Sequence, residues 1–547
     1  SGNSAAADSA LPFRYYLMDR KTLPSLPSNP QALRAAGLAM RILDFMGFIA
    51  RGTLPMKGFL ARSACPLPRL LPRCTKTFST LFATNLRYKS GKLHVEQLDS
   101  LDCSGHIVIL RNGKAVIIPI RDQSEQRVSE AALFASILQS IKLCSATGTQ
   151  PMDLGLDSLS WLPWSQWAQV TDSLHEDHAQ SLELLRTAAL VISLPPESEP
   201  SLTRSGGDRL SQQAAGVLCC GANSGLPSGL WKEKAFQLVV LPNGTAGLSC
   251  HYPLADPIAV AQLWEFTLAR EAYPLSKAGA DSPRTKPREL KWKLKDAARP
   301  FAEASCEVFK REAQLLDLRV TRFDGIGWRA IRELKVHPHA YLHIAAQIAV
   351  FRVWKTTSFC FERVPLHLFS GGRSTYADCV CKEILDFWEK LQKKERLGQA
   401  ECRKAFRKAC RAFQRCYTRA LCGDSWYLQL QALTSIEQNL EDHENPIPGN
   451  LKGRYRGLDG ACIWLTPIHQ DPKTPGHTLS IGGNFCEGPN FLIDQSVQIG
   501  FAALGDDDIY LHVRSIIQGH RSLDSGVIMQ ELQLSMMELR NVAATEP

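Results

Sequence analysis

No segment of the 547-residue chain is both long enough and apolar enough to read as a bilayer-spanning helix. Leu210–Trp231 and Ala235–Ala255 are uncharged and reach the ~20 residues such a helix needs, but Gly, Pro, Ser and Gln interrupt both. Val336–Phe351 is more apolar, yet it is shorter and carries His337, His339 and His343. A short basic region leading into an apolar core is also missing, so no secretory signal is read. Residue 1 is Ser, the form expected of a processed or trimmed chain, including a mature mitochondrial protein that has lost its presequence. The 17 cysteines are odd in number and follow no regular framework, which points to a reducing compartment. No CxxC pair of the kind that opens a zinc site occurs. Internal repeats and low-complexity tracts are absent as well.

Hydrophobic residues make up 44% and charged residues 21%, a balance that excludes a mainly disordered protein and allows a large core. The length suits two to four domains or one large two-lobed body. His106–Leu110 and Ala115–Ile120 read as strands around the hairpin signal Arg111-Asn112-Gly113-Lys114. Phe236–Leu241 and Ile509–Val513 are further strands. Glu130–Ile141, Ser181–Val191, Ala340–Trp354 and Gly526–Val542 read as helices. Leu33–Ala64 mixes apolar residues with Arg41, Arg51, Lys57 and Arg62, which fits a packed amphipathic helix or one lying on a membrane surface; Pro55 ends it. Pro195–Gly207, Gly279–Pro287 and Glu444–Gly457 are the expected linkers. The class is α/β or α+β.

Four local groups have the residue types of a chemical site. His339 and His343 are spaced i, i+4, as paired metal ligands are, but His337-Pro338-His339 lies at a helix start, where polar residues commonly cap, and no metal is expected. Cys402, Cys410 and Cys416 fall on one helical face and read as small core residues. Gly371-Gly372-Arg373-Ser374-Thr375 reads as a turn. Gly247–Asp256 follows a strand and holds Cys250 and His251. Neighbours on a strand face opposite ways, so these two do not form a Cys/His catalytic pair.

The charge is concentrated. Residues 390–419 carry eleven Lys/Arg against Glu395 and Glu401, a surplus equal to the +9 of the whole chain. From Cys402 onward an apolar stripe (Phe406, Cys410, Phe413, Tyr417, Leu421) leaves the other face basic, with Lys404, Arg407, Lys408, Arg411 and Arg415 upon it. Such a face is either simply solvated or docks an acidic subunit, an anionic lipid surface or RNA. Few aromatics interleave, so specific nucleic-acid binding is not expected.

Gly247-Leu248, Ala255-Asp256 and Leu263-Trp264-Glu265-Phe266 together resemble a signature of the carnitine/choline acyltransferase family. Trp231–Val240, Pro338 and Ala340 with Gln347, Phe361-Glu362, and Gly372-Arg373-Ser374 resemble further blocks in the same order, with His339 standing where the family has Asp. The resemblance spans roughly residues 65–545. It implies two similar α/β lobes, each like chloramphenicol acetyltransferase, with a central tunnel for coenzyme A and carnitine or choline. It also implies a His general base oriented by a carboxylate four residues later. The expected divisions are 1–64, an N-terminal extension with an amphipathic helix, 65–320, the first lobe, and 321–547, the second.

The departures fall on the family's polar positions. Its base position falls on Tyr252, beside His251, while Asp256 keeps the orienting position. An unperturbed tyrosine titrates near 10 and is a poor base at neutral pH. Substrate-contacting hydroxyls fall on Phe361 and Leu366. The coenzyme A lysines fall on Trp328 and Arg332, and Arg332 with Lys335 would form a residual coenzyme A site. The oxyanion element has only Trp464–Ile468 as its nearest counterpart. The expectation is a pseudoenzyme without cofactor, an accessory subunit of a mitochondrial assembly in the matrix or on the matrix side of the inner membrane, with a respiratory complex or other inner-membrane assembly as host ahead of a mitoribosome. Its partners would be other protein subunits, and an anionic lipid surface touched by the N-terminal or the basic helix. The alternatives are a non-catalytic coenzyme A or acyl-CoA binder, and a divergent acyltransferase using His251.

Overall fold

The computed structural model describes residues 14–19, 29–54, 74, 76–82, 84–90, 92–98, 105–122, 124–145, 156–173, 176–196, 209–221, 228–252, 254–271, 286–291, 299–355, 359–366, 369–372, 374–425, 462–468, 481–483, 496–504, 508–516 and 524–544. The chain divides into two compact units. One comprises Ser1–Met56, Lys76–Leu318 and Pro475–Glu487, the other Lys57–Thr75, Arg319–Thr474 and Gly488–Pro547. Arg373, and most of the three expected linkers, lie outside the described residues.

The strands of the first unit are β1 (Arg14–Met18), β2 (Thr84–Lys89), β3 (Lys92–Gln97), β4 (His106–Arg111), β5 (Lys114–Pro119), β6 (Val191–Ser193), β7 (Phe236–Val240), β8 (Ala246–His251) and β9 (Arg288–Leu290). β2 and β3 pair with each other. The others, with the short strand Ile481–Gly483 (β14), form one sheet in the order β14-β1-β8-β7-β6-β4-β5-β9. Its centre is parallel, β4–β6–β7, and the remaining pairs are antiparallel. The expected hairpin joins β4 to β5. Asn112 and Gly113 adopt φ of 53° and 74°, the left-handed pair that a type I′ turn requires. Val and Ile on both faces of β4 and β5 are buried, as in a sheet covered on both sides.

β1 and the helix that follows it belong to this unit's core. All five residues of β1 are buried, and the strand pairs on both sides, with β8 and β14. The helix after it, α1 (Pro30–Ala50), starts at Asn29, whose side chain accepts from the Ala32 N–H at 3.0 Å. Its apolar face packs inward, with Phe45 edge-on to Phe266 at 5.1 Å. Arg34, fully buried, is held by Asp19 at 2.5 Å and Glu271 at 2.8 Å. The remaining helices used below are α2 (Glu130–Ser145), α3 (Trp164–Ser173), α4 (Glu176–Thr187), α5 (Arg209–Leu218) and α6 (Pro257–Ala269). α4 ends at Thr187, short of the expected Val191. That residue instead begins β6, where the apolar run Val191–Ile192 pairs between β4 and β7.

The second unit's sheet runs β10-β16-β15-β13-β11-β12. Its strands are β10 (Leu316–Phe323), β11 (Phe359–Pro365), β12 (Ser374–Asp378), β13 (Cys462–Ile468), β15 (Ser496–Leu504) and β16 (Asp508–Ile516). The helices are α7 (Trp328–Glu333), α8 (Pro338–Trp354), α9 (Lys382–Gln392), α10 (Gln399–Leu421) and α11 (Ser525–Ala543). α8 is buried on nearly every side from Pro338 to Phe351, which its all-round apolar sequence dictates. Ala340, Ala345, Ala346 and Ala349 belong to one core with Leu532, Met536 and Leu539 of α11. The basic region 390–419 is not a single helix. α9 stops at Gln392, a short helical turn follows, and Gly398 at φ 82° precedes α10. Among the described residues no helix is long and apolar enough to cross a membrane.

Candidate functional site

In the first unit β8 delivers the segment that the resemblance marks as catalytic. His251 is the last residue of β8, opposite Arg14 of β1, and is 2% exposed. Its ring stacks on Trp164 of α3, with centroids 5.9 Å apart and planes at 24°. The Lys232 ammonium sits 4.3 Å from the centre of the same Trp164 ring and donates to the Leu162 carbonyl, fully buried. Burial first, then the charges of Arg14 and Lys232, hold the His251 pKa well below the usual imidazole value. A base so placed is weak, and its ring is packed among side chains.

Tyr252, half-buried, lies in the turn after β8. Asp256 follows as the N-cap of α6, its Oδ1 accepting from the Ile258 N–H at 3.0 Å and the Ala259 N–H at 3.2 Å. The orienting carboxylate of the resemblance thus has a helix to hold. Nearby, Glu233 accepts from Trp167 Nε1 at 2.9 Å and is bound twice by Arg186, at 2.7 and 3.0 Å, so this block is tied into the core. An open cleft of about 310 Å³ in this unit is lined by residues that include Arg87, Lys89, Trp167, Asp172 and Glu233. His251, Tyr252 and Asp256 are not in that lining.

The second unit holds the other sequence-assigned positions. Phe361 is 1% exposed on β11, and Leu366 lies half-buried just beyond that strand. Arg332 lies in the last turn of α7, and Lys335 follows in a turn at φ 58°; both are exposed. Trp464–Ile468 falls within β13. On α10, Cys402, Ala405, Phe406, Ala409, Cys410 and Phe413 face inward, while Lys404, Lys408, Arg411 and Arg415 are exposed. Arg407 differs from the expectation: it is half-buried, because it stands beside the inward row. Arg415 pairs with Glu383 at 3.1 Å and Arg419 with Asp424 at 2.7 Å.

A cluster that the sequence did not assemble lies beneath α10. His339 and His343 project from one face of α8 toward β11, where Glu362 is fully buried. His339 Nε2 is 2.5 Å from Glu362 Oε1, and His343 Nε2 is 3.5 Å from Glu362 Oε2. Gln347 Nε2 stands 2.9 Å from His343 Nδ1. Cys360 Sγ lies 3.9 Å from His343 Nε2. Donor atoms of His343, Glu362 and Cys379 all fall within 4.8 Å of one another. Phe413 lies against both imidazoles, at 4.3 Å from His343 and 5.0 Å from His339, and Tyr417 closes on His339 at 4.9 Å. Burial lowers His339 to about 3 and His343 well below its usual value, and raises Glu362 well above the carboxylate range. The i, i+4 histidines were visible in the sequence. The capping expected at His337-Pro338-His339 is not made: His337 occupies the N-cap, but its side chain makes no capping bond.

The Choline/Carnitine o-acyltransferase family pattern matches residues 7–472. The chain belongs to that family. It is 24% identical over 460 residues to the muscle isoform of carnitine O-palmitoyltransferase 1 from Sus scrofa, covering 82% of this chain and 57% of the relative. It is 27% identical over 293 residues to choline O-acetyltransferase from Drosophila melanogaster, covering 50% of this chain and 40% of the relative. The chain thus spans little more than half the length of the first relative. The first condensation domain of the calcium-dependent antibiotic synthetase aligns with 100% of the chain and 97% of its own, at 12% identity and a TM-score of 0.36. The α/β class expected of a carnitine/choline acyltransferase is the class observed.

Proposed function

We propose that this acyltransferase-family chain is non-catalytic and serves as an accessory subunit of a larger mitochondrial assembly, an inner-membrane respiratory complex on the matrix side. The observation that carries the loss of catalysis is the setting of His251: buried, stacked on Trp164 and flanked by two cations. General-base catalysis needs an imidazole that substrate can reach and that titrates near the working pH. Tyr252 at the assigned base position is not an imidazole, and Phe361 and Leu366 offer no hydroxyl to a substrate. The exposed basic face of α10 supports a docking role toward acidic protein surfaces. The mitochondrial setting rests on the family resemblance.

The test is acyl transfer to carnitine and to choline by the purified chain, with calorimetric titration of acyl-CoA alongside. The expected result is no turnover above background, unchanged in His251→Ala. Turnover that this substitution removes would overturn the proposal. Acyl-CoA binding without turnover, weakened by Arg332→Ala with Lys335→Ala, would replace the accessory reading with that of a coenzyme A binder.

A further inference from the structure

We infer that His343, Glu362 and Cys379 hold a structural divalent metal ion, zinc by donor chemistry, and that Cys360, 3.9 Å from His343, moves in to complete the four. The three groups come from three different elements: α8, the strand β11 and the residue just after β12. Only the fold brings them together, and each is 0% exposed. Nitrogen, sulfur and one carboxylate oxygen form a mixed donor set that suits zinc and is unsuited to calcium or magnesium. The donor atoms of the three lie within 4.8 Å of one another, so bound zinc would draw them in by about an ångström. Bond lengths of about 2.3 Å to sulfur and 2.0–2.1 Å to nitrogen put tetrahedral S and N ligands about 3.6 Å apart. Cys360 Sγ and His343 Nε2 are 3.9 Å apart, and His343 Nε2 and Glu362 Oε2 are 3.5 Å apart.

The surrounding residues match a ligand set's usual support. Metal-bound imidazoles are oriented through their other nitrogen, and metal-bound carboxylates through their other oxygen. His343 Nδ1 meets the side-chain amide of Gln347 at 2.9 Å. Gln347 Nε2 also donates to the Cys379 carbonyl at 3.4 Å, so one amide braces two of the ligand residues. Glu362 Oε1 lies 2.5 Å from His339 Nε2, which leaves Oε2, on the His343 side, for the ion. Phe413 lies against His343, and Tyr417 and Phe501 lie against the neighbouring His339, so aromatic rings cover this side of the site. On binding, the ion replaces protons carried by the carboxyl and the thiols, and its two positive charges offset the negative charge created there. The site would link α8, the sheet and, through Phe413 and Tyr417, the inner face of α10. This inference is independent of whether the chain catalyses.

The experiment is elemental analysis of the full chain purified under reducing conditions, before and after chelation and reloading with zinc or cobalt. One zinc per chain is expected, and cobalt should give the absorption of tetrahedral coordination with a sulfur-to-cobalt charge-transfer band. Cys379→Ser and His343→Asn should each reduce bound metal at least tenfold, whereas His339→Asn should retain it with weakened affinity. A chelator should lower the melting temperature of the wild type and leave that of Cys379→Ser unchanged. Wild-type chain that neither carries nor takes up stoichiometric metal would overturn the inference, with no variant needed. So would metal content indifferent to both ligand substitutions in folded protein.

Discussion

Asp256 shows how one carboxylate changes meaning with its surroundings. In the family pattern it orients a base; here its Oδ1 satisfies the first N–H groups of α6 at 3.0 and 3.2 Å. These donors have no partner inside the helix, and a side-chain oxygen at the N-cap is their commonest substitute. Asp256→Ala should therefore cost about 1 kcal/mol of stability, and Asp256→Asn, an equally good cap, only a few tenths. Urea unfolding of the two variants checks this. Equal and large losses in both would show that the ionised carboxylate, not the cap, is what matters. Gly247 a few residues earlier persists for a packing reason. A Cβ there would come within 2.5 Å of the Leu17 carbonyl on β1 and 2.6 Å of Val217 on α5. The retained family residues in this segment are thus those that build the fold.

At the scale of elements, α10 divides its work between two faces. The inner face is committed to the core through Phe406, Cys410 and Phe413. The outer face presents Lys404, Lys408 and Arg411 in successive turns, beyond the ion pairs that engage Arg415 and Arg419. Exposed charges away from such pairs contribute little to stability, so the triple variant Lys404→Glu, Lys408→Glu, Arg411→Glu should change unfolding free energy by about 1 kcal/mol or less. It should nonetheless abolish salt-sensitive co-sedimentation with mitochondrial assemblies, if the docking role is right. Unaltered co-sedimentation at low salt would remove α10 from the interface. This element was legible in the sequence because its signal is local: a 3.6-residue apolar period with basic residues between. The β4–β5 hairpin was legible for the same reason, through Asn112-Gly113. β1 was not, because a five-residue strand beginning with arginine has no local mark of being central. Arg14 is tolerated inside because Ser249 accepts from it, at 2.8–3.1 Å, across the strand pair. The His–Glu–Cys cluster was half legible: the helix spacing of His339 and His343 was plain, but Glu362 and Cys379 join them only through the sheet.

Across the whole molecule, buried neutral imidazoles link stability to pH. His251, His339, His343 and His512 are all buried with lowered pKa values. His512 is the simplest to isolate, since it stands on β16 outside the cluster and is lowered to about 3, by burial first and then by Arg514. The unfolded chain protonates this residue below about 6.5, whereas the folded chain resists until about 3. Within that window the unfolded state binds more protons, so stability falls as pH falls. Buried carboxyls act in the opposite sense. Asp157, raised to about 6 by burial, takes up a proton in the folded state before the unfolded chain does, and Glu362 and Asp19 are shifted the same way. A comparison with His512→Gln cancels those contributions, because both proteins keep the carboxyls. Between pH 7 and pH 5 the wild type should lose stability relative to the variant, with the gap opening below about 6.5. Urea midpoints measured across that range read the difference directly. Parallel curves for the two proteins would mean that His512 titrates alike in both states, and that its burial in β16 is relieved by local opening.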